Sequence, residues 1–307
     1  MPIEIDCFKA YDVRGQIPNQ LNADICYRIG NATAEFLGAR TVVVGRDMRL
    51  SSDEFADAVS RGLSDAGVEV LAIGLCGTEM VYFATSFLNA DGGIMVTASH
   101  NPADYNGLKF VREEARPISA DTGLADIRRL AEGDERKTAE SPGNVEHPNI
   151  FDDYIRHMLS YVDTGSLKPL KLVVNAGNGC AGIAIVGLEE HLPFEFIKLH
   201  LEPDGTFPNG IPNPLLPENR AATIEAVRAH NADMGIAWDG DFDRCFLFDE
   251  KGGFIEGYYI VGLLAESILK DHPGGKIIHD PRLTWNTLDI VERAGGEAIQ
   301  SKSGHSF

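Results

Sequence analysis

Short runs of β-branched and aliphatic residues alternate with helical patterns through most of the chain, and this alternation restricts the fold more than any other feature. Residues 41–44, 68–73 and 92–97 have the character of strands, whereas 53–66 and 80–88 have the period of amphipathic helices. Strands that alternate with helices in this way are typical of βα units around a parallel or mixed sheet. The sequence therefore predicts a fold of the α/β class.

The alternation restarts twice along the chain, which predicts three consecutive domains. Residues 132–148 are polar and lack an apolar period, so we expect a linker that ends a first domain at residues 1–147. Further helices and strands predict a second domain at 148–252. The remaining segment, 253–307, is about half the size of a typical domain, and we expect it to be a partial third domain.

The charge of the chain argues against polyanions as partners. The 307 residues carry 46 acidic and 27 basic side chains, for a formal net charge of −19, so the average field repels nucleic acid and anionic membranes. The start of the chain has no apolar signal-peptide run, and no stretch of about 18 apolar residues is available to span a bilayer. We predict a soluble, cytoplasmic protein without nucleic-acid or membrane partners, whose oligomeric state does not follow from the sequence.

The segment Asp239-Gly240-Asp241-Phe242-Asp243-Arg244 follows a predicted strand and concentrates three carboxylates. Alternate positions of an extended segment share a face, so the three aspartates can converge on one hard cation. A solvated acidic turn is the structural alternative. An EF-hand loop is excluded because its sixth position, which requires glycine, is occupied by Arg244, and because both flanks have strand character instead of helical character.

A second segment, Thr97-Ala98-Ser99-His100-Asn101-Pro102, lies at the end of another predicted strand. Proline disfavours helical backbone in the residue before it, which places Ser99 on a loop. A serine hydroxyl is a weak nucleophile unless a base, a metal or a basic environment activates it, and His100 and Lys109 are close in sequence. A serine and a histidine in a loop also form turns and caps without any catalytic role.

A third segment, Ala10-Tyr11-Asp12-Val13-Arg14-Gly15, contains an arginine whose planar fork matches phosphate geometry. Arg14 is therefore a candidate phosphate contact, with a surface ion pair as the alternative. The segment Gly45-Arg46-Asp47-Met48-Arg49 is ambiguous in the same way.

These segments, in this order, resemble the α-D-phosphohexomutase superfamily, and most closely its bacterial phosphomannomutases. The similarity covers nearly the whole chain, at residues 11–15, 97–102, 106–109, 203–217, 239–244 and 302–305. It implies consecutive α/β domains with mixed sheets sandwiched by helices. Complete relatives continue into a sugar-binding loop, the rest of a third domain and a fourth domain, so the resemblance implies that this chain lacks that loop.

The resemblance also implies roles for individual residues. Ser99 would carry a phosphoryl group and would complete a magnesium site with Asp239, Asp241 and Asp243. The residues with implied catalytic roles are Ser99, His100, Lys109 and Arg14. The implied substrate and phosphate contacts are Tyr11, Asn101, Arg244, Arg282 and His305. Arg282 stands where many relatives have lysine.

The implied activity is that of a phosphomannomutase, which interconverts mannose 6-phosphate and mannose 1-phosphate through a phosphoserine enzyme and a hexose 1,6-bisphosphate. Mg²⁺ is the implied cofactor and the bisphosphate the implied activator. Phosphoglucomutase activity and an inactive fragment of such a mutase are the alternatives, and whether the 307-residue chain turns over by itself stays open. A haloacid dehalogenase-type phosphatase is a weaker alternative, because its motif has threonine or valine where Asp243 stands and because it leaves Ser99 unexplained.

Overall fold

The computed structural model describes residues 3–282 and 284–304, so His305 lies outside the described residues. Its strands are β1 (Val13–Gln16), β2 (Thr41–Arg46), β3 (Glu69–Leu75), β4 (Gly92–Val96), β5 (Tyr105–Arg112), β6 (Val145–Glu146), β7 (Lys171–Asn175), β8 (Glu195–Leu199), β9 (Met234–Trp238), β10 (Cys245–Phe248), β11 (Phe254–Ile255), β12 (Lys276–His279) and β13 (Glu297–Gln300). Its α-helices are α1 (Ala23–Leu37), α2 (Ser52–Asp65), α3 (Thr78–Phe87), α4 (Leu124–Glu132), α5 (Phe151–Leu159), α6 (Ala181–Glu189), α7 (Ala221–His230), α8 (Gly257–Asp271) and α9 (Trp285–Arg293). This alternation confirms the α/β class.

A six-stranded sheet and its helices form what we call the first unit. The strand order is β1-β5-β4-β2-β3-β6, in which β5 runs antiparallel to both neighbours and the other pairs are parallel. Every residue of β4 is buried, as expected for a central strand that is covered on both faces. The sheet is therefore mixed, and the loop that carries Ser99 leaves it at the carboxyl end of β4.

A five-stranded sheet with α5, α6 and α7 forms the second unit. Its order is β11-β10-β9-β7-β8, with β9, β7 and β8 parallel and β10 antiparallel to β9. Trp238 pairs with Cys245, so residues 239–244 form the tight turn of a hairpin. The sequence pattern predicted an extended segment here, and that detail is wrong.

Residues 132–148, where we expected a linker, lie along the first unit, and Glu132 still belongs to α4. Strand β6 pairs with β3, which makes this segment an edge of the six-stranded sheet. The side chain of Asn31 on α1 donates to the carbonyl of Lys137 at 2.8 Å and accepts from its amide at 2.9 Å. The connection between the units is therefore ordered, while the domain boundaries at 147 and 252 stay predictions.

One apolar core runs through both units. It includes Val43 and Met95 of the first sheet and Met80 of α3, together with Tyr154 and Val174 of the second unit. A separate small core holds α8 and α9 against the parallel pair β12–β13, which we call the third unit. Because the first two units share a core, loops from both can meet at a fixed distance.

Among the described residues, we find no helix with the length and apolar character that crossing a membrane would require.

Candidate active site

Ser99 lies directly beyond β4 in a left-handed backbone conformation, with φ of 52°, and it is fully buried. Its amide donates a hydrogen bond to Thr97 Oγ1 at 2.8 Å. Its hydroxyl donates to Asp239 Oδ2 at 2.6 Å and lies 3.1 Å from His100 Nδ1. The serine predicted to be the nucleophile therefore has a carboxylate and an imidazole within hydrogen-bonding distance.

The three aspartates of the turn at 239–244 converge as expected: each offers one carboxylate oxygen, and these oxygens lie within 4.8 Å of one another. The turn is closed by Phe242, which has φ of 46° and donates its amide to the carbonyl of Asp239 at 3.1 Å. The amide of Arg244 donates to Asp239 Oδ1 at 3.1 Å. The convergence thus arises from a tight turn with one left-handed residue, and not from an extended strand.

The first unit supplies the positive charge that balances this turn. Lys109 on β5 is buried, and its Nζ donates to Asp241 Oδ2 at 2.6 Å and to Asp243 Oδ2 at 2.5 Å. Thr78, the first residue of α3, donates its hydroxyl to Asp241 Oδ2 at 2.6 Å. Burial opposes ionisation of Asp241, yet Lys109 and Thr78 hold the pKa of this carboxyl well below its ordinary value.

The two groups beside the Ser99 hydroxyl have shifted protonation. Burial, followed by the charges of Asp241 and Asp243, raises the pKa of Asp239 to about 7. Burial, followed by the charges of Arg244 and Arg14, lowers the pKa of His100 to about 4. At neutral pH the imidazole of His100 is therefore uncharged, and its low pKa makes it a weaker base than an ordinary histidine.

Two carboxylate oxygens of the cluster remain without a hydrogen-bond partner in the part of the chain that the structure describes. Asp241 Oδ1 and Asp243 Oδ1 are both buried and make no hydrogen bond. A buried carboxylate oxygen without a donor is costly, and hard divalent cations prefer such oxygens. The residues present therefore fit a divalent cation, which Asp239, Asp241 and Asp243 would hold beside the Ser99 oxygen.

Arg14 is bound to the Ser99 loop. Its Nη1 donates to the carbonyl of Ala98 at 3.0 Å and to Asn101 Oδ1 at 2.5 Å, while its Nε donates to Asp12 Oδ2 at 2.7 Å. Burial opposes its charge, but Asp12 raises the pKa of Arg14 above its ordinary value. The arrangement is neither a lone surface ion pair nor a free cation, because the guanidinium already fixes one edge of the loop.

The other predicted contacts lie at different distances from this cluster. Arg244 is 38% exposed, and its Nε lies 3.6 Å from Asp239 Oδ2, so its guanidinium faces both the carboxylates and solvent. Arg282 is largely exposed in the third unit and pairs with Asp280 at 2.7 Å. Tyr11 is partly exposed on the loop before β1. The roles expected for these residues, and for His305 outside the described residues, stay predictions.

Two residues at the centre of the site were not predicted to act there. Thr78 had no local signal, because a threonine that starts an amphipathic helix is common. Arg49 stood in a segment whose charges were ambiguous. It is buried, with its guanidinium directed at the backbone of the Ser99 loop.

Comparison with known proteins finds relatives over almost the entire chain. The protein-family model described as phosphoglucomutase/phosphomannomutase, α/β/α domain I, matches residues 6–137, and the family model for domain II matches residues 152–253. A phosphomannomutase from Salmonella typhimurium is 61% identical over 311 residues, which is 99% of this chain and 68% of the relative. The chain belongs to the phosphoglucomutase/phosphomannomutase family.

Other members of this family match equally broadly. A relative from Xanthomonas campestris, named phosphohexose mutases, is 60% identical over 304 residues, with 99% of this chain and 68% of the relative covered. The solved structure of a phosphoglucomutase/phosphomannomutase family protein from Burkholderia thailandensis superposes with a TM-score of 0.92 at 36% identity, and covers 99% of this chain and 68% of that one. Membership of this mutase family confirms the resemblance that the motifs indicated and replaces the dehalogenase-type alternative.

Proposed function

We propose that the chain acts as a phosphomannomutase, an isomerase that interconverts mannose 6-phosphate and mannose 1-phosphate through phosphorylated Ser99. One observation carries the proposal: the Ser99 hydroxyl lies 2.6 Å from a carboxylate of the three-aspartate cluster. The family relatives that are named phosphomannomutase support it. We further propose Mg²⁺ as the cofactor, a hexose 1,6-bisphosphate as the activator, and the cytoplasm as the location.

In this proposal the phosphoryl group leaves Ser99 Oγ as the free hydroxyl oxygen of a hexose phosphate forms a bond to phosphorus. The hydroxyl gives up its proton, Ser99 Oγ regains one, and the sugar becomes a 1,6-bisphosphate. The bisphosphate then turns round and returns its other phosphoryl group to Ser99, so that phosphate is neither consumed nor released. His100 and Asp239 are the groups that the structure holds within reach of the Ser99 proton.

The charges around Ser99 suit a group that is more negative than serine. A phosphoserine carries about −1.5 to −2 charges at pH 7. The site supplies the buried cation Lys109, and the partly exposed Arg14 and Arg244. A Mg²⁺ ion at the aspartates would neutralise charge on the phosphoryl oxygens during transfer. The aspartates would hold that ion, and Lys109 would keep Asp241 ionised for it.

Glucose phosphates are the second candidate substrates. The observation that favours them is the broader name of the Xanthomonas campestris relative, phosphohexose mutases. Mannose and glucose phosphates differ in the configuration of one hydroxyl group, and in this proposal the residues around Ser99 would act on the phosphoryl group, which the two sugars share. The two sugars should therefore be tested side by side.

Phosphorus NMR of the purified chain tests the proposal. Mannose 1-phosphate or glucose 1-phosphate is incubated with Mg²⁺ and a trace of hexose 1,6-bisphosphate, and the signal of the 6-phosphate is followed. We expect conversion that disappears in Ser99→Ala and persists in Ser160→Ala, a matched change at an exposed serine. Absence of conversion by the unmutated chain would refute mutase activity of this chain, and release of inorganic phosphate would indicate a hydrolase.

A further inference from the structure

Ser99 occupies a backbone conformation that its side chain disfavours. A φ of 52° lies in the left-handed region, where the Cβ atom of a residue other than glycine crowds the neighbouring carbonyl oxygen. Such a conformation persists only where the surrounding structure over-determines it. It also directs the hydroxyl at Asp239, so whatever holds this backbone also sets the position of the nucleophile.

The side chain of Arg49 binds four carbonyl oxygens of the Ser99 loop. Its Nη2 donates to the carbonyl of Ser99 at 3.0 Å and to that of Asn101 at 2.7 Å. Its Nη1 donates to the carbonyl of Pro102 at 2.7 Å and to that of Tyr105 at 2.9 Å. One guanidinium therefore closes the loop from the serine to the start of β5, with only 1% of the side chain exposed.

Arg49 is itself held by residues of its own unit. Its Nε faces Asp47 Oδ2 at 3.3 Å, and the same oxygen accepts a hydrogen bond from Thr97 Oγ1 at 2.7 Å. Thr97 Oγ1 in turn accepts the amide of Ser99. The four residues form a closed ring of contacts around the nucleophile. The ring of Phe207, in the segment 203–217 of the second unit, packs against the guanidinium, with the ring centroid 5.1 Å from Cζ of Arg49.

This arrangement excludes a direct contact between Arg49 and a substrate phosphate. A guanidinium has five N–H groups, of which four donate to the loop carbonyls. The fifth, on Nε, is buried 3.3 Å from Asp47 Oδ2 and makes no hydrogen bond among the described residues. No donor is left to reach an anion in the cleft. The role that remains is to fix the backbone.

We propose that Arg49 is a positioning residue that holds the Ser99 loop, and with it the Ser99 hydroxyl, in the geometry for phosphoryl transfer. The consequence for turnover rests on the proposed function, whereas the consequence for the loop does not. Lysine cannot replace arginine here, because a single ammonium group has three donors and cannot span four carbonyls in one plane.

Hydrogen exchange of backbone amides tests the proposal in the full chain. We compare the unmutated chain with Arg49→Lys and Arg49→Ala, and use Arg46→Ala as the matched control, because Arg46 lies in the same segment and pairs with the exposed Asp53. In both Arg49 variants we expect amides at 98–105 to exchange at least about tenfold faster, with the protection of β2 and β4 retained. Guanidinium ion added to Arg49→Ala should restore protection, and Arg46→Ala should match the unmutated chain.

Mutase kinetics with the same variants measure the effect on turnover. We expect kcat to fall by about 100-fold in Arg49→Lys, the loss typical of a nucleophile misplaced by about 1 Å, with KM changed less than about twofold. Unchanged exchange of the amides at 98–105 in both Arg49 variants would overturn the proposal. Faster exchange of these amides with an unaltered kcat would also overturn it. If the unmutated chain shows no mutase activity, the proposed function fails, and loop exchange with guanidinium rescue still decides the role of Arg49. Should Arg49→Ala fail to fold, Arg49→Lys decides it.

Discussion

The Ser99 loop and the aspartate turn at 239–244 meet at one site, but they are stabilised in different ways. The backbone of the Ser99 loop is held by Arg49 and Thr97, which belong to the same unit. The carboxylates of the turn are balanced by Lys109 and Thr78, which belong to the other unit. The geometry of the nucleophile is therefore built within the first unit, whereas the buried cation that balances Asp241 and Asp243 reaches the turn only when the two units pack together.

The two loops also approach each other so closely that side chains would not fit between them. A Cβ atom added to Gly240 would lie 2.5 Å from the carbonyl oxygen of Ser99. Gly77, directly before α3, packs against the buried ring of Phe242 in the turn. Both glycines are required by close packing and not by turn geometry, because neither has a positive φ: Gly240 faces the backbone of Ser99, and Gly77 faces the side chain of Phe242. The two loops therefore differ in charge and in what supports them, although they pack closely against each other.

The largest effect is expected for Lys109→Met, which keeps the approximate length of the side chain and removes its charge. Two carboxylates would lose their buried cation, and breaking a buried ion pair in this way costs about 3–5 kcal/mol. We expect urea unfolding to show a loss of that size in the absence of metal, and part of the loss to be recovered in 10-fold excess Mg²⁺ because the ion would supply the missing charge. Arg112→Met, at an exposed position on the same strand, is the control.

If Lys109→Met lowered the free energy of unfolding by no more than Arg112→Met does, the carboxylates would not be balanced by the first unit. A full loss that Mg²⁺ leaves unchanged would contradict the metal site while preserving the comparison between the loops.

An intermediate effect is expected for Thr78→Val, which is nearly isosteric and removes one hydrogen bond to Asp241. Hydrogen bonds to charged groups contribute about 1.5–3 kcal/mol to stability. Thr85→Val is the matched control, because Thr85 is also buried on α3 but its hydroxyl donates to the carbonyl of Val81 within the same helix. We expect the first variant to lose more stability than the second in urea unfolding, and to bind Mg²⁺ more weakly by calorimetry. Equal losses would show that the contact between the units adds nothing.

The smallest effect is expected at Glu79, on α3. Its carboxylate accepts a hydrogen bond from the hydroxyl of Tyr154 in the second unit at 2.5 Å. Burial raises the pKa of Glu79 above its ordinary value of 4.5. The folded state therefore holds this proton to higher pH than the unfolded chain does, so the carboxyl costs stability progressively as pH rises above about 4.5. Glu79→Gln removes that titration.

Thermal unfolding at several pH values measures this effect. The Tm of Glu79→Gln relative to the unmutated chain should rise between about pH 4.5 and neutrality, by no more than about 2–4 °C. Glu140→Gln, at an exposed position, should show no such trend. A constant difference in Tm across this range would show that Glu79 does not ionise with a raised pKa in the fold.

The elements that the sequence predicted well are those with one apolar face or a short apolar run. Helix α2 and strand β4 were predicted to within one residue at each end, and strands β2 and β3 to within two. Helix α6 was not predicted, because it is almost entirely apolar and so has no period that would distinguish a helix from a strand. Strand β5, which carries Lys109, was also missed, because polar residues interrupt its apolar run.

The candidate site also has a part that the sequence predicted and a part that it did not. The types and spacing of residues were enough to single out Ser99, the three aspartates and Arg14, because phosphoryl transfer and cation binding require hydroxyl, carboxylate and guanidinium groups in short segments. Which cation balances which carboxylate could not be predicted. Lys109 is 132 residues from Asp241 in sequence and contacts it only because the two units share a core.

The sequence by itself thus determined the α/β class, the family and the groups available for chemistry, since these depend on local patterns and on residue types. Only the tertiary structure decided that Arg49 serves the loop backbone, that Thr78 belongs to the site, and that the aspartates converge through a turn closed by a left-handed Phe242. The physical reason is that hydrogen bonds and charge compensation depend on distances of about 3 Å between residues far apart in the chain, and those distances are set by packing.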